Sequence, residues 1–551
     1  MTSSRRRAKF LAPAFALMTG LALTACASTG EDSGSNDASG DSGAESSSGA
    51  LVVGTTDKIT RLDPAASYDN GTSQVARQVY GYLMESEPGS EDPTPVPSLA
   101  ESGEFTSPGE FTVKLKEGLT FANGNELTSS DVKFSFDRQI AIDDPNGPAS
   151  LLGNLESVDT PDDLTVVFNL KQENDQTWVG VLNSPAGPIV DEEVFSADSV
   201  LDNQEVVDAE PFAGQYTISN FSENELISYT PVDTYQGVLG EAQNDGIDVR
   251  YYADASNMKL DIEQNNIDAA YRSLSATDIE DLRNADGVQV IDGPGGEIRY
   301  IVFNFNTQPF GATTEEADED KARAVRQAVA ASIDRAAIAK DIYRDTFEPL
   351  YSAIPDAMIG ATEPVKDMYL TSDGGPDVDK AKQILEDAGI TETVNLALQY
   401  NPDHYGPSSG DEYAMIRSQL EDTGLFTVDL QSTEWVQYQK DRVQDVYPLY
   451  QLGWFPDFSD PDNFLTPFFT KDNFLGNHFD NDEADALIRQ QAVTEDQAER
   501  EELLGQAQEM MAEELSTVPL LQGRQFAFAA DGVEGVVLDA SYLFRYGSLS
   551  K

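Results

Sequence analysis

Between residues 394 and 454 the apolar positions change period in regular alternation. Residues 394–400, 426–430 and 446–454 are short apolar or alternating runs, and they predict strands. Residues 412–420 and 435–443 carry helical spacing. Strand, helix, strand, helix, strand predicts a parallel sheet with helices on its faces, an α/β arrangement. Upstream, Leu51-Val52-Val53-Gly54 predicts a strand, followed by a turn at Leu62-Asp63-Pro64. Val75, Val79 and Leu83 give residues 72–83 a helical stripe. A proline-rich joint covers 88–97, strands are predicted at 111–115 and 164–170, and Thr128-Ser129-Ser130-Asp131 opens a helix between them. Paired strands at 216–218 and 226–229, a helix at 257–263 and a strand from Ile267 follow. Residues 300–304 form an apolar strand, and 321–343 read as one long helix striped by Val325, Ala328, Val329, Ile333 and Ile338. Residues 379–387 predict a helix stopped by Gly389. Two more helices, near 483–490 and 497–514, lead to a last strand at 518–521.

The most informative stretch is 449–469, LYQLGWFPDFSDPDNFLTPFF. Gly453 and Pro456 end its apolar run, so Asp457 stands just past a strand, between Phe455 and Phe458. Asp460-Pro461 is a good helix opening. Ligands of open α/β sheets collect outside the carboxyl ends of strands. A carboxylate held there among rings can receive an ammonium group; the plain alternative is that Asp457 only caps a turn.

Composition narrows the function classes. The chain has 551 residues, with 97 acidic against 35 basic, a net charge of −62. Such a surface repels nucleic acid, and no basic patch offsets it. Acidity of this kind is chiefly a solvation device, with a preference for cationic ligands the sharper reading. One cysteine allows no internal disulfide. With only His404 and His478 besides, no metal site is expected from protein ligands. No phosphate loop, HExxH or GxSxG motif occurs, and neither histidine has a recognisable Ser or acid partner pattern. Acidic pairs abound by chance, which leaves a two-carboxylate hydrolase open.

The N-terminus reads as an address. Arg5, Arg6, Arg7 and Lys9 precede an apolar run at 10–23, too short for a good membrane span. Leu23-Thr24-Ala25-Cys26 is similar to a bacterial lipobox, in which cleavage precedes an acylated cysteine. Residues 1–25 are therefore expected to be a signal peptide, and Cys26 the lipidation site. Residues 29–49 hold Ser, Gly, Asp and Glu with no large apolar side chain, so 26–49 is expected to be an anchor and flexible tether.

These features meet in one resemblance. Leu62-Asp63-Pro64, PSLAE at 97–101 and LKEGLTFANGNELTSSDVKFSFDR at 115–138 are its first marks. Residues 300–304, RQAVAASIDRAAI at 326–338, DVDKAKQILEDAG at 377–389 and GWFPDFSDPDNF at 453–464 complete them. In this order, over residues 51–546, the chain resembles the extracytoplasmic solute-binding proteins of ABC importers, family 5, the dipeptide, oligopeptide and nickel type.

The resemblance implies a two-lobed periplasmic-binding-protein-like fold (type II, cluster C) with an extra subdomain inserted in lobe I. Lobe I would be 51–83, 209–304 and 525–551, the insert 84–208, and lobe II 305–524. It implies a lipid-anchored protein on the outer face of the cell membrane. Such a protein captures short peptides by hinge closure and hands them to a permease with its ATPase subunits, with no cofactor and no catalytic residue. Asp457 would pair with the peptide's α-ammonium, Trp454 and Phe455 would flank its backbone, and Tyr68, Asp69 and Asn70 would line the cleft. Gln451 stands where an oligopeptide binder of the family can carry an Arg for the ligand carboxylate. His404 is either near the cleft or an exposed loop residue, and His478 is expected on a surface turn. The same fold binding an oligosaccharide, a nickel chelate or haem is the nearest alternative, and an anchored hydrolase or signalling receptor the more distant one.

Overall fold

A computed structural model describes residues 49–551 apart from Glu91, Pro407 and Asp472. The leader, the lipobox at Cys26 and nearly all of the tether lie outside the described residues. Among the described residues no helix is long and apolar enough to cross a membrane.

The predicted parallel unit forms. Strand Val394–Tyr400 pairs in parallel with Phe426–Ser432 on one side and Leu449–Trp454 on the other. Helices Ser409–Asp422 and Trp435–Arg442 make the crossovers. The last strand starts at Leu449 rather than at 446, because Val446 is exposed and Pro448 has no N–H for the ladder. From this unit an 11-stranded sheet continues through Val288–Phe303 and Thr517–Ala530, then Ala269–Tyr271, Leu51–Thr55, Ile247–Tyr251, Leu226–Pro231 and Tyr216–Ser222. The last apolar strand therefore extends well beyond the predicted 518–521, being buried almost throughout.

Two long antiparallel strands, Val288–Phe303 and Thr517–Ala530, join the two ends of this sheet. Their inner residues belong to different apolar cores. Ile301, Phe303, Val518 and Leu520 pack with helix Glu319–Ser332 and the parallel unit. Phe526, Phe528 and Ala530 pack with Met258, Ile262 and Leu282. Between the two, the pairing register shifts from Gly293 to Glu297, a bulge built from Pro294, Gly295 and Gly296. A Cβ on Gly296 would lie 2.2 Å from the Tyr542 ring, so only glycine fits there. Bulges of this kind turn the following side chains, here Glu297 and Arg299, in a new direction.

A separate four-stranded antiparallel sheet orders Ala100–Ser107, Glu110–Leu115, Thr165–Leu170 and Leu155–Asp162. Helix Ser129–Ile142 packs on it through Phe136, edge-on to Phe168 at 5.0 Å. Thr128 and Asp131 form the expected capping box. Arg138 from this helix donates to Asp63 at 2.8 and 2.6 Å, and both side chains are fully buried. The turn motif and the far end of the 115–138 motif are thus one ion pair.

Two helices differ from expectation. Residues 321–343 form two, Glu319–Ser332 and Arg335–Asp341, because the Asp334 carboxylate caps the second by accepting from Ala337 N–H at 2.9 Å. The helix expected at 72–83 is Asn70–Val79, started two residues earlier by Asp69 as its N-cap.

Candidate functional site

Strand Leu449–Trp454 ends against Ile298, and the chain then leaves the sheet through Phe455 and Pro456. The turn that follows is a short 3-10 helix, Pro461–Phe464, capped by Asp460 as the sequence suggests, rather than an α-helix. This turn delivers Asn463 beneath Asp457. Asn463 Oδ1 accepts from the Asp457 backbone N–H at 2.9 Å and from Trp454 Nε1 at 3.0 Å. Its Nδ2 donates to Asp457 Oδ2 at 3.3 Å. One side chain, only 3% exposed, therefore orients both the indole and the carboxylate.

The other Asp457 oxygen accepts from the Tyr68 hydroxyl, 389 residues away in sequence. Burial pushes the Asp457 carboxyl above the usual carboxylate range, and the Tyr68 and Asn463 donors pull it partly back. Among the described residues Asp457 has two hydrogen-bond donors and no cationic partner. Among the described residues its carboxylate caps no turn. Trp454 packs edge-on to Phe468 at 5.0 Å, and Phe455 is 39% exposed.

The remaining predicted residues divide. Asn70 lines the cavity beside Phe455 and Pro456. Asp69 is occupied as a helix cap, accepting from Thr72 N–H at 2.9 Å and from the Thr60 hydroxyl at 2.5 Å. Gln451 is not brought to the cleft surface. It is 1% exposed, accepts from Asn401 N–H at 2.9 Å and donates to Ser409 Oγ at 3.3 Å, so it braces the 401–406 loop against the strand. His404 is an exposed loop residue, its ring stacked flat on Trp435 at 3.7 Å. Packing there and the charge of Arg299 push its imidazole down to about 4, so it is neutral near pH 7. Tyr405 ties this loop to the site, since its hydroxyl accepts from Gly453 N–H at 2.9 Å. His478 lies on a turn at positive φ, with its imidazole 2.6 Å from Asp445.

A cavity of about 270 Å3 opens beside Asp457's turn. Phe455, Phe347, Phe526 and Tyr542 supply apolar wall, and Arg272, Glu297 and Arg524 supply charge. Its size is near the lower end of ligand pockets, roughly 300–1,000 Å3. Of Arg272, Glu297, Arg524 and Asn463, only Asn463 has a signal in the sequence, as the Asx residue just before the end of the 453–464 motif.

Among the described residues no group of three or more His, Cys, Asp or Glu side chains is arranged to hold a metal ion. Residues 94–476 match the family model of bacterial extracellular solute-binding proteins, family 5. The chain is 27% identical to heme-binding protein A of Haemophilus influenzae over 549 residues, covering 94% of each chain. It is 25% identical to the dipeptide-binding protein of Escherichia coli over 499 residues, 86% of this chain and 89% of that one. Among solved structures, HbpA2 from Haemophilus parasuis superposes with a TM-score of 0.76 at 22% identity, covering 91% of this chain and 99% of that one. The fold is thus the two-lobed periplasmic binding fold.

Proposed function

The chain belongs to family 5 of the bacterial extracellular solute-binding proteins of ABC importers, and from that premise we propose that it captures short peptides through their α-ammonium group at Asp457. One observation carries this reading. Asp457 is a half-buried carboxylate with two donors and, among the described residues, no cation, next to a cavity walled by rings. A charge taken out of water needs a partner, and a ligand ammonium supplies it. Trp454, held by Asn463, and the exposed Phe455 are the flanking walls, and Tyr68 and Asn70 close the opposite side. Relatives named as dipeptide-binding proteins support the ligand class. The cavity volume fits a small ligand.

The assignment of 51–83, 209–304 and 525–551 to lobe I, 84–208 to an insert and 305–524 to lobe II is part of the proposal. Three apolar cores follow this division in outline, with Val190, Phe195, Val206 and Val207 of the insert packing in the core of lobe I and Ile301 and Phe303 in that of lobe II. Closure works by differential contact: Tyr68 and Arg272 from one side meet Asp457 and Phe455 from the other, and a bridging ligand adds to those contacts only when the lobes are together. The protein acts as a binder without covalent chemistry, anchored outside the cytoplasmic membrane through lipid on Cys26, and passes its cargo to a permease and its ATPases.

Asp457→Asn tests the reading. Removing one partner of a buried ion pair costs roughly 3–5 kcal/mol, so peptide affinity should fall by about a hundredfold or more at 1.4 kcal/mol per tenfold. Unchanged affinity by calorimetry would refute the assignment. A second reading, haem, is favoured by the relative named as a heme-binding protein and by the neutral, exposed imidazole of His404 on Trp435. Titration with haem, read by its absorbance in wild type and His404→Ala, separates the two.

A further inference from the structure

The turn that carries Asp457 is held from outside lobe II by all the segments assigned to lobe I and its insert. Tyr68, from 51–83, donates its hydroxyl to Asp457. Arg272, from 209–304, stands 5.1 Å over the Phe455 ring. The Ser459 hydroxyl donates to Ala540 O, from 525–551, at 2.8 Å. Between these residues Phe458 turns its ring to the insert, where it packs against the core that holds Phe136, Trp178 and Val181. A backbone bond runs beside it from the insert to the end of helix Asp482–Gln491, the Gln176 N–H donating to Ala492 O at 2.8 Å.

A glycine receives the Phe458 ring. Gly180 is buried in the middle of helix Trp178–Leu182. A Cβ built there would lie 2.6 Å from Phe458 Cδ2 and 3.2 Å from Cγ and Cε2. Only the hydrogen of glycine leaves room for the ring. The backbone itself asks for no glycine, because φ of Gly180 is outside the left-handed region, and glycine is among the poorest helix formers. What explains the residue is the ring that it admits. The contact is made by the chain's own atoms, and neither it nor the Ser459 bond uses the Asp457 carboxylate.

We propose that Phe458 and Gly180 are ball and socket of a latch between lobe II and the insert, which positions the Asp457 turn and holds a fraction of the molecules closed with no ligand bound. The inference rests on the lobe division and on hinge closure, and it is independent of the ligand's chemistry. It gives the insert a part in binding, although the insert supplies no residue to the Asp457 site itself. A bound ligand leaves only after the ring withdraws, so the same contact lengthens the life of the complex.

The test measures a distance across the contact. Glu173 on the insert and Glu495 on lobe II are exposed and flank it. In the full chain with Cys26→Ser, which removes the one native thiol, Glu173→Cys and Glu495→Cys take spin labels, and pulsed electron resonance reads their separation without ligand. The otherwise wild-type chain should give a short and a long separation. Gly180→Ala and Phe458→Ala should each lower the ratio of short to long about tenfold, the effect of exposing one half-covered ring. With Phe458→Ala present, Gly180→Ala should change nothing more, because the methyl then has room, and this pairing tells a lost latch from a damaged helix. A ratio that survives either single variant, or a further fall when Gly180→Ala joins Phe458→Ala, would overturn the proposal and leave closure standing. One long separation in the otherwise wild-type chain would do the same. One short separation kept in all four proteins would remove hinge closure itself and this inference with it.

Discussion

Asn463→Ala isolates the device that holds the site in shape. The wild-type side chain makes three hydrogen bonds at once, to Asp457 N–H at 2.9 Å, Trp454 Nε1 at 3.0 Å and Asp457 Oδ2 at 3.3 Å. Each is worth about 0.5–1.5 kcal/mol net, and a buried donor left without an acceptor costs about 1–3 kcal/mol. The Asp457 N–H and the Trp454 indole are both partly shielded from water, so the lower half of that range applies to each. The sum for the folded protein is about 2–4 kcal/mol. Ligand affinity falls as well, because the indole is free to rotate and the carboxyl, losing one of its two donors, rises further and carries less charge near neutral pH. Urea denaturation gives the first quantity and calorimetry with a dipeptide the second. A stability loss below about 0.5 kcal/mol together with wild-type affinity would show that Asn463 is a bystander and that Asp457 is oriented by other means.

Two further outcomes concern buried charges elsewhere in the fold. Asp63→Ala strands Arg138 in a fully buried place and should cost roughly 3–5 kcal/mol in urea, whereas Asp63→Ala with Arg138→Met should cost markedly less; equal costs would mean the pair is not coupled. Glu412, fully buried, is pushed up to about 7 chiefly by burial, against the nearby Arg299 charge and the Tyr343 hydroxyl donating at 2.7 Å. A raised carboxyl pKa means the folded state holds its proton longer than the unfolded one, so stability is full below about 4.5, declines as pH rises towards 7 and is flat above. Glu412→Gln should flatten that slope, gaining up to about 3 kcal/mol over wild type at pH 8 relative to pH 4, and a pH-independent difference between the two would contradict it.

The parallel unit at 394–454 is legible in sequence because buried strands and amphipathic helices differ in period, and Gly389 and the caps mark where one yields to the other. Strands Ala100–Ser107 and Leu155–Asp162 are not legible for the opposite reason. Their exposed positions carry Glu, Ser, Asp and Thr, and few apolar residues remain to show alternation. The break at Asp334 has a local cause that a hydrophobic stripe hides, since the stripe runs on through Ile338 while the backbone does not.

The site shows the same division. Asp457, Trp454 and Phe455 stand in one contiguous motif, and its position after a strand already suggests a ligand. The meeting of Asp457 with Tyr68 depends on the topology of the large sheet and has no signature in either segment. Gln451 misleads because its place just before the motif, where a member of the family can carry an Arg, does not say whether the side chain is covered, and here the 401–406 loop covers it. The placement of Arg272 over the Phe455 ring is invisible in sequence, as it depends on a left-handed backbone that its residue type does not announce.

We propose that the carboxylate of Asp457, which has no cationic partner among the described residues, receives a ligand ammonium, and blocking that ammonium is the decisive experiment. The thermal midpoint of the purified chain should be measured with short peptides and with the same peptides N-acetylated. A ligand at a hundred times its dissociation constant adds roughly 2.7 kcal/mol of stability, a readable rise. Free peptides should raise the midpoint and acetylated ones leave it unmoved; an equal rise with both would refute the assignment of the ammonium to Asp457.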